Sequence, residues 1–257
     1  MNCTGEIPRI LKLIWINAGI YGCIILWTLI CVLLSPLFIL YSRLRGREDS
    51  VTLREIIWHY GYTSVKLMGL FVDIEWPEQT ELPCPCIIVA NHESFFDPYL
   101  ISMQPQKETC LAVRSWPFKI PFYGYYMRGA EYINVEKDDL DTIKKQASNA
   151  LRRKISLMFF PEGTRSRTGE TGRFHSGPFH IAMEENVPVV PFCISGTYEM
   201  LKKNSLIINP SRVRTKILPP VYPQDYKDMP NSHIELRRAV KQIMVNSIRE
   251  LKKDDPR

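Results

Sequence analysis

The hydrophobic pattern opens with an uncharged apolar run from Leu13 to Tyr41. A helix needs roughly 20 apolar residues to cross the hydrocarbon core of a membrane, so this run is long enough to span one with some tilt. The run is too long for a signal-peptide core, and no small-residue cleavage pattern follows it. Pro36 leaves a second arrangement open, in which the helix bends and stays within one leaflet. The flanking cations favour a cytosolic C-terminal side by a narrow margin; they are Arg9 and Lys12 before the run and Arg43, Arg45 and Arg47 after it.

A second helix is predicted over residues 51–72, after a turn at Gly46. Mostly apolar residues recur there at the three- and four-residue spacing of a single helix face. The members of this stripe are Leu53, Ile56, Ile57, Tyr60, Ser64, Leu67, Met68 and Phe71. Such an amphipathic helix fits two places equally well, the surface of a membrane or the surface of a globular domain.

Short apolar runs alternate with helical patterns over the rest of the chain. This alternation predicts an α/β fold with a mostly parallel sheet covered by helices. A Pro- and Glu-rich segment, Trp76–Pro85, is the expected linker between N-terminal membrane-anchoring helices in residues 1–75 and the main domain in residues 76–257. The predicted strands are Cys86–Ala90, Cys110–Val113, Glu131–Val135, Ile155–Phe160, Val187–Ile194 and Arg212–Leu218.

Composition narrows the classes of partner. Of the 257 residues, 45% are hydrophobic and 23% are charged, as in a globular protein. The formal net charge of +6 favours anionic partners, which include anionic membranes and phosphorylated substrates. No zinc-finger spacing or RNA-binding consensus occurs, so nucleic acid is not expected. The seven cysteines are scattered, and Cys84-Pro85-Cys86 has no second Cys/His cluster, so we expect no metal site and a reducing compartment.

A histidine and a carboxylate follow the first predicted strand of the main domain. The sequence after Ala90 is Asn91-His92-Glu93-Ser94-Phe95-Phe96-Asp97-Pro98. Ligand sites of open α/β sheets lie at the carboxyl ends of the strands, which is where His92 falls. Asp97, five residues on, is close enough to orient the imidazole and to stabilise it when it takes a proton. An Asp-Pro pair is also typical of a helix start, and both roles can coexist.

A second polar turn follows the predicted strand Ile155–Phe160. It runs Pro161-Glu162-Gly163-Thr164-Arg165-Ser166-Arg167. Guanidinium groups bind phosphate through paired, charge-assisted hydrogen bonds, and small residues let a ligand approach the backbone. Taken alone, this turn is compatible either with a phosphate site, in which Glu162 accepts a hydrogen bond from a ligand hydroxyl, or with a solvated basic turn.

These two turns occur in an order that resembles the lysophosphatidic acid acyltransferase family of glycerolipid acyltransferases. The resemblance covers roughly residues 86–195 and rests on four blocks. The blocks are His92-x4-Asp97, then Ala112-Val113-Arg114 with Ile120-Pro121-Phe122-Tyr123-Gly124 and Gly129–Asn134, then Phe160–Arg165, and finally Val187–Pro191. Phe174-His175-Ser176-Gly177 is similar to the family's Phe-x-x-Gly element.

The resemblance implies the activity and the roles of several residues. Residues 76–257 would form an acyltransferase domain on the cytosolic face of a membrane, the inner membrane in a bacterium. It would move a fatty acyl group from acyl-CoA or acyl-carrier protein to the hydroxyl of lysophosphatidic acid, without a cofactor. His92 and Asp97 would be catalytic, and Arg114 would contact the oxyanion or the donor. The acceptor's headgroup would be bound by Glu162, Gly163, Thr164 and Arg165, and less directly by Arg167.

Two departures from the family pattern leave the acceptor open. Arg114 stands where members usually carry Lys, and Val135 stands where they usually carry Arg. Lys137 is the nearest cation that would substitute for this absent arginine. An alternative acceptor is therefore lyso-ornithine lipid or another lysophospholipid. A more distant alternative is a non-catalytic scaffold that binds anionic lipid through basic residues such as Lys203.

Overall fold

The computed structural model describes residues 9–78 and 80–253. Both ends of the chain, residues 1–8 and 254–257, and Gln79 of the predicted linker lie outside the described residues. The helices are α1 (Arg9–Leu44), α2 (Asp49–Met68), α3 (Asp97–Leu100), α4 (Tyr123–Gly129), α5 (Leu140–Arg152), α6 (Gly177–Glu185), α7 (Thr197–Met200) and α8 (Ser232–Lys253). The strands are β1 (Asp73–Glu75), β2 (Ile87–Ala90), β3 (Thr109–Val113), β4 (Ile133–Asn134), β5 (Ser156–Phe159), β6 (Val189–Ser195) and β7 (Arg212–Ile217). Single 3-10 turns occupy Ile101–Met103, Pro117–Lys119 and Pro223–Tyr226.

The strands form one sheet in the order β1-β7-β6-β2-β5-β3-β4. All neighbouring strands are parallel except β6 and β7, so the mostly parallel sheet predicted from the sequence is confirmed. The central strand β2 is buried on both faces. Ile87 and Val89 contact one hydrophobic core, whereas Ile88 and Ala90 contact a second core on the opposite face. This continuous burial explains why the strand is apolar throughout and does not alternate with polar residues.

The two N-terminal helices pack on the α/β domain. Ile16 and Ile20 of α1 and Val65 and Met68 of α2 belong to the core that covers the Ile88 face of the sheet. The predicted amphipathic stripe of α2 therefore faces protein along part of its length. Near the other end of α2, the buried Arg54 side chain is paired with Glu108 at 2.8 Å, next to the start of β3.

α1 is one continuous helix of 36 residues through Pro36, about 54 Å long at the usual rise per residue. Polar contacts tie it to the rest of the protein over most of that length. The Asn17 side chain forms two 2.8 Å hydrogen bonds with the backbone of Ile208, and the Ser42 hydroxyl lies 2.6 Å from that of Thr52. Within the described part of the chain, only this helix is long and apolar enough to cross a membrane, and just 11% of its most apolar window is buried.

Several predicted boundaries are wrong for local reasons. The second helix ends at Met68, and residues 69–71 form a turn where the pattern predicted helix. Strand β4 covers two of the five residues predicted, since Glu131 takes a left-handed conformation at φ 61°. The sequence pattern does not predict strand β1. It has three residues with a single apolar position, and its partner β7 lies more than a hundred residues away.

Candidate active site

His92 and Asp97 meet at the carboxyl end of the central strand. His92 follows Ala90 by two residues, and Asp97 is the first residue of α3. The Nδ1 atom of His92 lies 2.8 Å from Oδ2 of Asp97. Because an ionised carboxylate only accepts, Nδ1 carries the proton in this contact, and Nε2 is left as the nitrogen that can accept another. The imidazole is 17% exposed, which gives a substrate access to it.

Asp97 is fully buried, and one of its oxygens holds the turn together. Oδ2 accepts hydrogen bonds from the backbone N–H groups of Glu93 and Ser94, at 2.6 and 2.7 Å, in addition to the imidazole. Oδ1 is buried without a hydrogen-bond partner among the described residues. The carboxylate therefore turns back onto the preceding residues instead of capping α3. Asp97 fixes the ring and the backbone that carries the ring.

The turn after β5 supports His92 from the other side. Phe160 stacks on the imidazole, with ring centroids 4.2 Å apart. Oε1 of Glu162 accepts from the His92 backbone N–H at 2.9 Å, and Oε2 accepts from the Gly172 N–H at 2.8 Å. The Ser166 N–H donates to the His92 carbonyl at 2.7 Å. Burial raises the pKa of Glu162, and the two backbone donors oppose that rise. Glu162 thus joins the two turns, a contact that sequence reasoning missed.

The remaining residues of this turn include two arginines, and a lysine from another part of the chain contacts the turn. Gly163 takes φ +68°, which favours glycine. Arg165 is half-buried and directly precedes the contact between Ser166 and His92, whereas Arg167 is exposed. Lys203 joins the turn from beyond α7, with Nζ 3.0 Å from the Thr164 hydroxyl. The sequence places Lys203 only among surface cations, since no local spacing connects it to residue 164.

Arg114 follows β3 and is paired with Glu136. Its guanidinium contacts the Glu136 carboxylate, which also accepts the Ser115 backbone N–H at 2.8 Å. These two hydrogen bonds, the backbone one foremost, hold the pKa of Glu136 below its usual range. Val135 lies between this pair and β4, with its N–H bonded to the Val113 carbonyl. Position 135, where family members carry arginine, is thus next to the Arg114–Glu136 ion pair.

Glu93 is a further buried carboxylate in the turn between β2 and α3, which carries His92. Its side chain is 4% exposed, and Oε1 lies 4.0 Å from Nζ of Lys252 in α8. Oε2 lies within 3.5 Å of the Thr197 hydroxyl and the Tyr198 backbone N–H. Lys252 also donates to the Gly169 carbonyl at 2.6 Å. Glu93 therefore connects the turn that carries His92 to the C-terminal helix, a link between residues so far apart that no sequence pattern marks it.

The pH dependence of stability should reveal this carboxyl group. Burial raises the pKa of Glu93 from 4.5 to about 8, with the Asp97 charge adding to the rise and Lys252 opposing it. Between those two values the folded protein keeps a proton that the unfolded chain releases, so stability falls as the pH rises through this window, by up to about 1.4 kcal/mol per pH unit. Glu93→Gln should weaken this dependence. Melting temperatures in detergent at pH 5–8 measure it, and parallel curves for the two proteins would contradict the assignment.

Among the described residues, no three His, Cys, Asp or Glu side chains converge as metal ligands do. The chemistry available at this site is proton transfer by an oriented imidazole beside a cationic turn. That combination suits attack by a hydroxyl on an activated acyl group, without a serine or cysteine nucleophile.

The fold and this site define an acyltransferase: residues 72–195 match the family model described as Acyltransferase. The chain is 33% identical over 193 residues to the 1-acyl-sn-glycerol-3-phosphate acyltransferases of Escherichia coli and Salmonella typhimurium, covering 73% of this chain and 77% of each relative. A relative of the same name from Cocos nucifera is 28% identical over 223 residues, covering 84% and 68% of the two chains. The chain belongs to the 1-acyl-sn-glycerol-3-phosphate acyltransferase family, which confirms the resemblance seen in the sequence.

A solved structure agrees with this assignment. The crystal structure of the 1-acyl-sn-glycerophosphate (LPA) acyltransferase PlsC from Thermotoga maritima superimposes with a TM-score of 0.75 at 25% identity. The match covers 97% of this chain and all of that one, so it includes the N-terminal helices. The α/β fold class predicted from the sequence is confirmed over nearly the whole chain.

Proposed function

We propose that this enzyme acylates the free hydroxyl of lysophosphatidic acid and so makes phosphatidic acid. The observation that carries the proposal is the 2.8 Å contact between His92 and Asp97, beside a turn that carries Arg165 and is contacted by Lys203. The names of the relatives from E. coli, S. typhimurium and C. nucifera support the acceptor. The donor is an acyl thioester, of coenzyme A or of acyl-carrier protein.

His92 acts as the general base. Its Nε2 takes the proton of the acceptor hydroxyl as the oxygen attacks the thioester carbonyl. The tetrahedral adduct then collapses, the carbon–sulfur bond breaks, and the thiolate takes the proton back from the imidazolium. An ester and a free thiol result, and the enzyme returns to its starting protonation state. Asp97 stabilises the imidazolium in between, because a buried carboxylate lies directly on Nδ1.

The acceptor's phosphate is held by the cations of the second turn. Arg165 contributes one positive charge to this turn, and the Lys203 ammonium, which donates to the Thr164 hydroxyl and the Arg165 carbonyl, contributes a second. Gly163 lets the ligand approach the chain, and Arg167 contributes only long-range charge from its exposed position. Glu162 acts mainly by joining this turn to His92, since each of its oxygens already accepts a backbone N–H.

The membrane segment is proposed to lie in one leaflet. The contacts of α1 with the rest of the protein run from Asn17, bonded to Ile208 of the domain, to Ser42, bonded to Thr52 of α2. They span about 38 Å of helix, which exceeds the roughly 30 Å thickness of the hydrocarbon core. A spanning α1 would pull the polar domain into the core or lose these contacts. An α1 lying along the interface keeps them and exposes its apolar side to lipid. The active site would then open at the membrane surface on which the lyso-lipid lies.

A panel of acceptors tests the proposal. Purified full-length enzyme in mixed micelles is given labelled acyl-CoA or acyl-carrier protein with lysophosphatidic acid, lyso-ornithine lipid or neutral lysophospholipids. We expect phosphatidic acid to be the main product. Arg165→Ala should raise the KM for lysophosphatidic acid about tenfold or more, the loss expected for a charge-assisted phosphate contact, and Arg167→Ala should change it far less. Preferred acylation of lyso-ornithine lipid would favour the alternative acceptor suggested by Val135, and no transfer to any acceptor would favour a scaffold.

A further inference from the structure

The segment Trp116–Tyr125, here called the aromatic segment, exposes several large side chains. It follows β3 and continues into the first turn of α4. Trp116, Phe122 and Tyr125 are 51%, 61% and 54% exposed, and Ile120 is exposed beside them. Exposed apolar side chains are ordinary when scattered, but a cluster of them marks a surface that binds a partner.

The backbone at Phe122 is strained. Its φ and ψ are 64° and −56°, and the Tyr123 N–H donates to the Pro121 carbonyl at 2.8 Å. This is a γ-turn with positive φ, a rare conformation for a residue with a side chain. Glycine would adopt it without the steric cost. The chain instead places a phenylalanine at this point and directs its ring into solvent, and strain of this kind is typical of functional positions.

Contacts on the inner side hold the aromatic segment in place. The Tyr123 hydroxyl lies 3.0 Å from that of Tyr99 and donates to that of Tyr60 at 2.8 Å. At Gly124, an added Cβ would lie 2.1 Å from the Phe118 carbonyl oxygen, so the chain is closely folded there. The exposed rings are therefore presented by a rigid support.

The aromatic segment lies between α1 and the turn that carries His92. On one side, the hydroxyl of Tyr126, next to Tyr125, contacts that of Ser35 in α1. On the other side, Trp116 lies 6.4 Å, between ring centroids, from Phe95. Phe95 is itself exposed and stands between His92 and Asp97 in the sequence. The aromatic segment is thus held next to α1 at one end and next to the edge of the active site at the other.

The charge around the aromatic segment complements an anionic lipid surface. Lys119 lies within it, and Arg128 follows it on α4; both are exposed. Aromatic rings with neighbouring cations are the side chains that settle at the headgroup level of a membrane. A protein partner would bind the aromatic segment without also contacting the apolar side of α1. A membrane that binds α1 would meet both, because the two lie next to each other.

We infer that the aromatic segment is a second lipid-binding element, which inserts Trp116, Phe122 and Tyr125 into the membrane interface beside the active site. The inference rests on the proposed function, because it places the entry of the lyso-lipid next to Phe95. α1 holds the enzyme on the membrane, and the aromatic segment turns the active-site opening toward the lipid. The aromatic segment binds the headgroup and upper acyl region of an anionic phospholipid bilayer.

Photolabelling of the full-length protein tests contact with lipid directly. The enzyme is bound to anionic vesicles whose phospholipids carry a photoreactive diazirine in the upper acyl chain, irradiated, and digested for mass spectrometry. We expect adducts on α1 and on residues 116–125, and none around Leu140, an exposed leucine at the start of α5. Labelling of α1 without labelling of the aromatic segment would overturn the inference.

Kinetics of Phe122→Gly separate lipid binding from folding. Glycine relieves the strain, so the melting temperature should stay level or rise, while the kcat/KM on lysophosphatidic acid in vesicles should fall roughly tenfold through loss of one buried ring. Turnover of a short-chain, monomeric lysophosphatidate should be little changed. Phe122→Trp should keep the vesicle activity, and Leu140→Gln serves as the matched exposed control.

The possible outcomes distinguish the two proposals. No turnover of either substrate by the wild-type enzyme would reject the proposed function. Equal losses by Phe122→Gly on vesicles and on the monomeric substrate would reject the lipid role, because the residue would then act within the active site. A change in oligomeric state of Phe122→Gly in detergent, measured by light scattering, would also reject it in favour of contact between copies of the chain.

Discussion

His92→Ala should lower the kcat for acyl transfer by about 10²–10⁴-fold, the usual contribution of a general base. The substitution removes the group that takes the proton of the acceptor, and water at neutral pH is a poor replacement. Binding should change little, because the headgroup contacts come from Arg165 and Lys203. Continuous measurement of thiol release from acyl-CoA gives the rate, and the KM for lysophosphatidic acid reports on binding.

Two variants control this prediction. His180→Ala removes a histidine of α6 that pairs with Glu184 at 3.1 Å, and should leave the rate unchanged. His92→Gln keeps a polar side chain over Phe160 yet lacks a base, so it should be as slow as His92→Ala. Near-normal turnover by either His92 variant, in folded protein, would remove the imidazole from the mechanism.

Asp97→Asn should lower the kcat by about 10²–10³-fold with the turn still formed. The three donors of this site all converge on Oδ2. An asparagine can place its amide oxygen there, keep all three hydrogen bonds and keep the tautomer of His92. The loss then measures the negative charge alone, worth about 4 kcal/mol or less for a pair at this distance under the effective dielectric of a protein.

The cost of this substitution to folding is predicted separately. The amide nitrogen that Asp97→Asn introduces would occupy the position of Oδ1, which is buried without a hydrogen-bond partner among the described residues. Leaving such a donor unsatisfied costs about 1–3 kcal/mol, seen as a lower melting temperature. An Asp97→Asn enzyme with normal kcat would show that the charge of Asp97 does not assist the reaction. One with normal stability would show that the amide finds a partner.

The positions of the chemical groups were predictable because they follow apolar strands. Ala90 and Phe159 end two neighbouring parallel strands, so the turns that follow them, which carry His92 and Arg165, lie at one edge of the sheet. This reasoning needs only local patterns and the rule for parallel sheets. It does not specify which groups support the site.

The supporting contacts depend on residues that the sequence separates widely. Glu162 binds the backbone of His92, Lys203 reaches Thr164, and Lys252 approaches Glu93 across about 160 positions. None of these contacts produces a periodic pattern, since each is decided by where the loops and helices pack. The position of α1 is also decided by tertiary contacts and not by a periodic sequence pattern. Its composition indicates lipid, while its direction follows from the contact of Asn17 with the distant Ile208 and from that of Ser42 with Thr52 in α2.

A single-turnover experiment tests direct attack on the thioester under the control of His92. Excess wild-type enzyme is mixed with labelled acyl-CoA, with and without lysophosphatidic acid, and the label is followed in protein and in lipid on the millisecond-to-second scale. Our mechanism predicts that label enters phosphatidic acid only when the acceptor is present, in step with thiol release, and that the protein carries none at any time. Label that appears on the protein before the lipid, or acyl-CoA consumed at the same rate without acceptor, would contradict it.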